Sequence, residues 1–370
     1  MTPVTDPSPH APASSPQPLP GTDARRFLII RPSAIGDVVM ALPMASVIKK
    51  ACPGACVIWL AEPYVADFLR AQPTVDEVLV WPKSRWKELL KARHLTALVR
   101  DVSAFRRRLK SQPIDVAVDV QGLLRSRLLA VLSGARRRVG FASKEPGRFL
   151  MTEVISKGPR TRTIGTEYEY MARYLGFWDD GFPMGVSVPH EAFERAQGLL
   201  TETLGSRAYA VFAPFTTRPQ KHWIDHRWAN LAQRIAEEQN LPVVLLGGAG
   251  DAKAAEQLAT LSPRMVSLAG RTTLLESAAI LQGARLVIGV DTGLTHMAVA
   301  LKRPTIALFG ATCPYLHTRS NRALVLYKPL PCSPCRRRPT CKGAFPCMAA
   351  LREDDVMNAA RRVLAASAEG

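Results

Sequence analysis

At 370 residues the chain is long enough for two domains, each with its own core. Hydrophobic residues make up 47% and charged residues 22%, which excludes both a disordered polymer and a mini-protein stapled by cysteines. The 49 Lys and Arg against 31 Asp and Glu give a formal charge of +18, which favours an anionic partner without naming the anion, and no apolar window reaches the ~18 uncharged residues of a membrane span.

Residues 1–24 contain seven prolines among Ser, Thr and Ala and have no hydrophobic run that could serve as a signal-peptide core, which predicts a disordered tail on a cytoplasmic protein. The first ordered element is the short apolar run Phe27-Leu28-Ile29-Ile30. It is followed by the loop Pro32 to Asp37 and then by apolar residues at helical spacing from Val38 to Lys50. Strands are expected near 57–60, 78–81 and 115–120, with a basic helical stretch over about 86–110. A second series of strands falls near 208–214, 243–246, 265–268, 286–290 and 305–309, with helices between. Strands alternating with helices predict parallel βαβ units, hence an α/β protein of two doubly wound, Rossmann-like domains. Residues 176–189 hold three glycines and two prolines with little periodicity and suit a linker. The expected organisation is a tail (1–24), a first domain (25–189), a second domain (190–350) and a terminal helix (351–370).

Four places could carry chemistry. Asp37 closes the loop after the first strand, where open parallel sheets bind ligands. It is either an acid facing an interdomain cleft or the N-cap of the next helix. Thr216, Thr217, Arg218 and Lys221 follow the first strand of the second domain and could hold phosphate; the alternative is a solvated turn anchored by Trp223. Asp291-Thr292-Gly293 ends another strand and opens a helix containing His296, a strand-to-helix junction that attracts anions, although capping and packing roles explain the same residues. Finally, Cys332, Cys335, Cys341 and Cys347 crowd one short stretch. They are either a structural zinc or Fe–S site or a reduced loop.

The basic residues concentrate between Arg85 and Arg148, including Arg106-Arg107-Arg108 and Arg136-Arg137-Arg138. Such an excess is a solvated face, an attraction for a phosphorylated acceptor or anionic leaflet, or a nucleic-acid surface. Coupled with a four-cysteine metal knuckle, the last would make a nucleic-acid-binding protein, but the stretch lacks interleaved aromatics for base stacking.

Taken together, Ser33-Ala34-Ile35-Gly36-Asp37-Val38-Val39-Met40-Ala41-Leu42-Pro43, the segment Asp119 to Ser126, the loop Thr216 to Trp223 and Asp291 to His296 resemble the lipopolysaccharide heptosyltransferases of glycosyltransferase family 9. The resemblance runs from about Phe27 to the last helix. It implies the GT-B fold, two Rossmann-like domains facing across a cleft, with the final helix returning to the first domain. It also implies inverting transfer of L-glycero-D-manno-heptose from ADP-heptose to the lipopolysaccharide inner core, without a catalytic metal and without nucleic acid. The implied setting is peripheral, on the cytoplasmic face of the inner membrane. By the same resemblance Asp37 takes the position of the general base. Thr216, Thr217 and Lys221 contact the donor pyrophosphate, with Lys221 also stabilising the departing ADP; Asp291, Thr292, Gly293 and His296 form the nucleotide-sugar loop. Asp251 stands where relatives hold the ribose with Glu, and Lys144 and Arg148 stand in the segment that binds acceptor acid groups. The Thr216 to Trp223 loop looks like heptosyltransferase I, whereas the cysteine-rich segment looks more like heptosyltransferase II. A third reading keeps the fold and changes the nucleotide sugar.

Overall fold

The computed structural model describes residues 26–159, 161–177 and 181–368; the expected proline-rich tail lies outside them. The strands are β1 (Arg26–Ile30), β2 (Cys56–Ala61), β3 (Glu77–Val80), β4 (Val116–Asp119), β5 (Arg137–Phe141), β6 (Glu153–Ile155), β7 (Ala210–Ala213), β8 (Val243–Leu245), β9 (Met265–Ser267), β10 (Leu286–Val290), β11 (Thr305–Phe309) and β12 (Ala323–Tyr327). Between them run α1 (Ile35–Ala41), α2 (Pro43–Ala51), α3 (Pro63–Arg70), α4 (Lys83–Lys91), α5 (Leu95–Lys110), α6 (Leu124–Leu132), α7 (Thr166–Tyr174), α8 (His190–Leu204), α9 (Asp225–Gln239), α10 (Ala252–Ala259), α11 (Leu274–Gly283), α12 (Gly293–Ala300), α13 (Pro346–Ala349) and α14 (Glu353–Ala368).

Two parallel six-stranded sheets result, in the orders β3-β2-β1-β4-β5-β6 and β12-β11-β10-β7-β8-β9. Each reverses direction at one point, between β1 and β4 in the first lobe and between β7 and β10 in the second. The central strands explain themselves. Phe27, Leu28, Ile29 and Ile30 are fully buried, as are Leu286, Val287 and Ile288, because helices cover both faces and leave no polar side for alternation to mark. One core runs through both lobes, taking Phe27 and Trp59 from the first and Val211, Val287 and Met297 from the second, so the inner faces of the two sheets share a single apolar interior. The outer faces have separate cores.

Two elements differ from the sequence reading. The basic stretch over 86–110 is a hairpin of two helices, not one helix: Arg93 takes a left-handed conformation (φ 58°) between α4 and α5. The terminal helix α14 does not return to the first lobe. It packs on α9, β11 and β12, and Val356, Met357, Ala360 and Val363 are buried in the outer core of the second lobe. Its apolar stripe is sufficient for burial on either lobe, and the proximity of β12 decides the matter.

Candidate active site

Ligands of open α/β sheets bind beyond the carboxyl ends of strands where the strand order reverses. Here the two reversal points face each other. The loop after β1 carries Asp37, and the loops after β7 and β10 carry Thr216 to Lys221 and Asp291 to Gly293. Helices α1 and α12 meet at their first turns across the gap. Glycines make that approach feasible: a methyl group on Gly36 would collide with the His296 ring, and one on Gly293 would lie 2.7 Å from Ile35 Cβ and 3.3 Å from the Gly36 nitrogen. The resulting cleft has a volume of about 1420 Å³. Asp37, Lys144, Thr216, Thr217, Lys221, Asp251, Asp291, Thr292, Gly293 and His296 all line it; Arg148 does not.

Asp37 is not an N-cap. Ala34 holds that position, and Asp37 sits in the first turn of α1, where its charge suits the helix dipole. Its Oδ2 is ion-paired with Arg31 Nη2, and its side chain remains 38% exposed to the cleft. The Arg31 guanidinium is itself fixed, donating from Nη1 to the Val120 carbonyl at 2.9 Å and lying 5.9 Å from the ring centre of Tyr168. Burial works against the Arg31 charge, but Tyr168 and Asp37 outweigh it and raise its pKa above the usual value. One carboxylate oxygen of Asp37 is therefore anchored, and the other makes no hydrogen bond among the described residues.

In the second lobe, Asp291 gathers the loops. Its Oδ2 accepts from Lys221 Nζ at 2.7 Å and from the Thr312 hydroxyl, and its Oδ1 accepts from His296 Nε2 at 3.1 Å. Lys221 also donates to the Asp291 carbonyl at 3.2 Å. Burial pushes the Asp291 carboxyl up, yet the His296 and Lys221 contacts prevail and hold it far below the ordinary carboxylate range. His296 is buried, with Nδ1 2.8 Å from the Tyr315 hydroxyl; the tautomer that satisfies both neighbours carries its proton on Nε2. Its part is to orient Asp291, not to face solvent. Thr292 is the N-cap of α12 but its side chain makes no cap bond, which leaves the hydroxyl and the helix start turned to the cleft. The Thr216 carbonyl accepts from His222 Nε2 at 2.8 Å, which ties the loop back on itself.

Asp251 lines the cleft, but its Oδ2 accepts from the Gly248 nitrogen at 2.8 Å and so closes its own turn, a competing task for a ribose contact. Lys144 reaches the cleft because the loop around it is nailed from beneath. Arg127, fully buried, donates to the carbonyls of Phe141, Glu145 and Pro146 and to the Ser143 hydroxyl at 2.8–3.1 Å. Asp119, also buried, accepts from Gln121 N, Gly122 N and the Ser126 hydroxyl. The segment Asp119 to Ser126 is thus a scaffold. Arg148 lies one turn past that loop, in the 3₁₀ turn Arg148–Leu150, exposed and outside the cleft lining.

Of the two readings of the cysteines, a zinc or Fe–S site and a reduced loop, the metal site finds no support in the structure. All of Cys332, Cys335, Cys341 and Cys347 are free thiols, and among the described residues no group of three or more His, Cys, Asp or Glu side chains is placed to hold a metal ion. Cys347 is buried beneath Gly310, and Cys335 Sγ lies 4.0 Å from the Ala311 carbonyl. Burial raises the pKa of both thiols, and the neighbouring cysteines add to it, Cys332 and Cys341 at Cys335 and Cys332 and Cys335 at Cys347.

Sequence reading missed Arg31, Tyr168, Arg162 and the run Arg336 to Arg338, all at or beside the cleft. Arg31 had a signal, a charge directly after the apolar run Phe27 to Ile30. Arg336-Arg337-Arg338 is a run of like charges that equally suits a solvated loop.

Residues 102–344 match the family model "Glycosyltransferase family 9 (heptosyltransferase)". The chain belongs to glycosyltransferase family 9. Over 317 residues it is 30% identical to lipopolysaccharide heptosyltransferase 1 of Pseudomonas aeruginosa, covering 85% of this chain and 87% of the relative. The solved structure of Escherichia coli heptosyltransferase WaaC with ADP-2-deoxy-2-fluoro heptose superposes with a TM-score of 0.69 at 26% identity, covering 90% of this chain and 98% of that one. A family 9 glycosyltransferase of Veillonella parvula superposes with a TM-score of 0.76 at 19% identity over 93% and 98% of the two chains, which shows the shared GT-B fold. As a family 9 member this chain is a glycosyltransferase, and its two facing lobes are those of the GT-B enzymes.

Proposed function

We propose that this enzyme transfers L-glycero-D-manno-heptose from ADP-heptose to an acidic sugar of the lipopolysaccharide inner core, Kdo-lipid A or its heptosylated form, with inversion at the anomeric carbon. The observation that carries the reading is that Asp37 of one lobe and the Lys221–Asp291–α12 cluster of the other line one cleft. The free oxygen of Asp37 takes the proton of the acceptor hydroxyl as that oxygen attacks the anomeric carbon; general-base help of this kind contributes roughly 10² to 10⁴ in rate. Arg31 holds the carboxylate in place for the transfer. The start of α12 and Lys221 carry the negative charge that grows on the departing ADP, while Asp291 and His296 keep Lys221 aimed. Thr216, Thr217 and Thr292 supply hydroxyl donors to the diphosphate. Packing of α1 on α12 sets the distance between base and leaving group and limits water in between.

ADP-heptose is supported by two kinds of likeness, to heptosyltransferases of type 1 in sequence and to a structure bound to an ADP-heptose analogue. We place the enzyme at the cytoplasmic face of the inner membrane, where a nucleotide sugar and a lipid-anchored acceptor meet. The α4–α5 hairpin favours that setting: Leu90, Leu95 and Val99 are 57–64% exposed amid Lys87, Lys91, Arg93 and Arg100. Thermal-shift screening of nucleotide sugars tests the donor. At about 100 times its Kd, ADP-heptose adds about 2.7 kcal/mol of apparent stability. Stabilisation by UDP-sugars in place of ADP-heptose refutes the assignment.

A further inference from the structure

Every carboxylate that lines the cleft is already engaged. Asp37 is paired with Arg31, Glu167 with Lys157, Asp291 with Lys221, and Asp251 closes its own turn. The five arginines that line the same cleft make no ion pair among the described residues: Arg218 belongs to the threonine–lysine loop, and Arg162, Arg336, Arg337 and Arg338 lie outside it. Their positions are fixed by backbone bonds. The Arg162 carbonyl accepts from Leu316 N and His317 N at 2.7 and 3.0 Å, which pins a segment of the first lobe to the chain beyond β11. The loop 333–338 is tied to the same place: Arg336 N donates to the Ala311 carbonyl at 2.7 Å, the Ser333 hydroxyl to the Gly310 carbonyl at 2.6 Å, and Gln220 Nε2 to the Arg336 carbonyl at 3.1 Å. Both Arg162 (φ 54°) and Arg336 (φ 60°) occupy the left-handed region that favours glycine, so neither position is there for the convenience of its backbone.

Asp251 follows β8, the threonine–lysine loop follows β7 and Asp291 follows β10, whereas Arg162 precedes α7 in the first lobe and Arg336 to Arg338 follow β12, the strand at the other edge of the second sheet, with Arg336 tied to the threonine–lysine loop through Gln220. Lys144, in the loop after β5 of the first lobe, lines the same cleft.

We propose that Arg162 from the first lobe and Arg336, Arg337 and Arg338 from the second form an anion subsite that grips the acid groups of the acceptor. The proposal rests on the functional reading above and extends it: acceptor selection is shared by both lobes, and the loop between the cysteines is a substrate wall. Guanidinium groups bind oxyanions through paired N–H donors, and both the carboxylates of acidic sugars and phosphate monoesters present the pair of oxygens that this requires.

The test uses the full-length enzyme, ADP-heptose and Kdo-lipid A, comparing wild type with Arg162→Gln and with the double variant Arg337→Gln/Arg338→Gln, whose exposed positions leave the core intact. The subsite predicts an acceptor KM raised about tenfold or more, with the ADP-heptose KM and kcat within about twofold. Repeating the measurement on acceptor stripped of its lipid A phosphates separates the sources: a rise that persists assigns the carboxylates, and one that vanishes assigns the phosphates. An unchanged acceptor KM, or a rise in the donor KM in its place, overturns the proposal. Calorimetric binding of a soluble Kdo disaccharide and of inorganic phosphate decides the matter even if turnover is not seen. Weaker binding of either by the double variant supports the subsite, and equal binding of both refutes it. A wild-type enzyme that binds these anions through the arginines but is idle with ADP-heptose would count against the function and not against the subsite.

Discussion

Replacing Gly293 by Ala separates two forces of opposite sign. Gly293 has a backbone conformation open to any residue and stands at the first position of α12, so loss of unfolded-state freedom alone would stabilise the enzyme by about 0.4–1 kcal/mol. The added methyl would lie 2.7 Å from Ile35 Cβ, against 3.4 Å at the near edge of ordinary contact, a shortfall of about 0.7 Å. Ile35 Cβ is fixed to its backbone and cannot rotate away, so α1 and α12 must part. Overpacking of this kind costs about 1–3 kcal/mol, which exceeds the gain and reverses the sign. The same displacement moves Asp37 away from Lys221 and Asp291, and misplacement near 1 Å costs about 10²-fold in rate. Urea denaturation and kcat at saturating ADP-heptose should therefore both fall in Gly293→Ala. A variant as stable as wild type, or more so, with unchanged kcat would show that the contact between the lobes does not set the catalytic distance.

Asp291→Asn leaves Lys221 and His296 without their carboxylate and should destabilise the enzyme by about 3–5 kcal/mol at neutral pH. Because the folded-state pKa of Asp291 is depressed, its contribution is complete above the unfolded value of about 3.9 and declines as pH falls towards the folded one. Denaturation at about pH 3 should find the wild-type advantage smaller by about 1 kcal/mol; an undiminished difference would contradict the pairing. Arg127→Met strips one buried and three part-buried acceptors of their donor and should cost about 2–3 kcal/mol in denaturant titrations while raising the acceptor KM through Lys144; a loss under about 1 kcal/mol would mean that the loop holds itself. Replacing Leu90, Leu95 and Val99 by Ser should weaken cosedimentation with phosphatidylglycerol vesicles about tenfold or more, with soluble turnover preserved, and equal cosedimentation would remove the hairpin from any membrane contact.

Much of the architecture was legible because alternating apolar runs and helical periods leave few arrangements for two parallel sheets. The loops after β1, β7 and β10 could be placed at strand ends for the same reason, and they converge on one cleft. What escaped was long-range. Nothing near Asp37 announces that Arg31 will be locked by the carbonyl of Val120, since β1 and β4 pair only after the chain has crossed the sheet. The cysteine spacing suited a metal, but spacing does not say that Cys347 turns into the core beneath Gly310. The helix break at Arg93 has neither Gly nor Pro to mark it, and the amphipathic stripe of α14 fits either lobe. Lys144 and Arg148 differ by four residues, enough for the turn at Gly147 to carry one into the cleft and the other away.

The most direct test is heptosyl transfer by Asp37→Asn, measured as ADP release with ADP-heptose and Kdo-lipid A alongside thermal stabilisation by ADP-heptose alone. If a first-lobe carboxylate deprotonates the acceptor opposite a donor held by the second lobe, stabilisation persists while turnover falls roughly 10²- to 10⁴-fold. Turnover at the wild-type rate would contradict that division of labour.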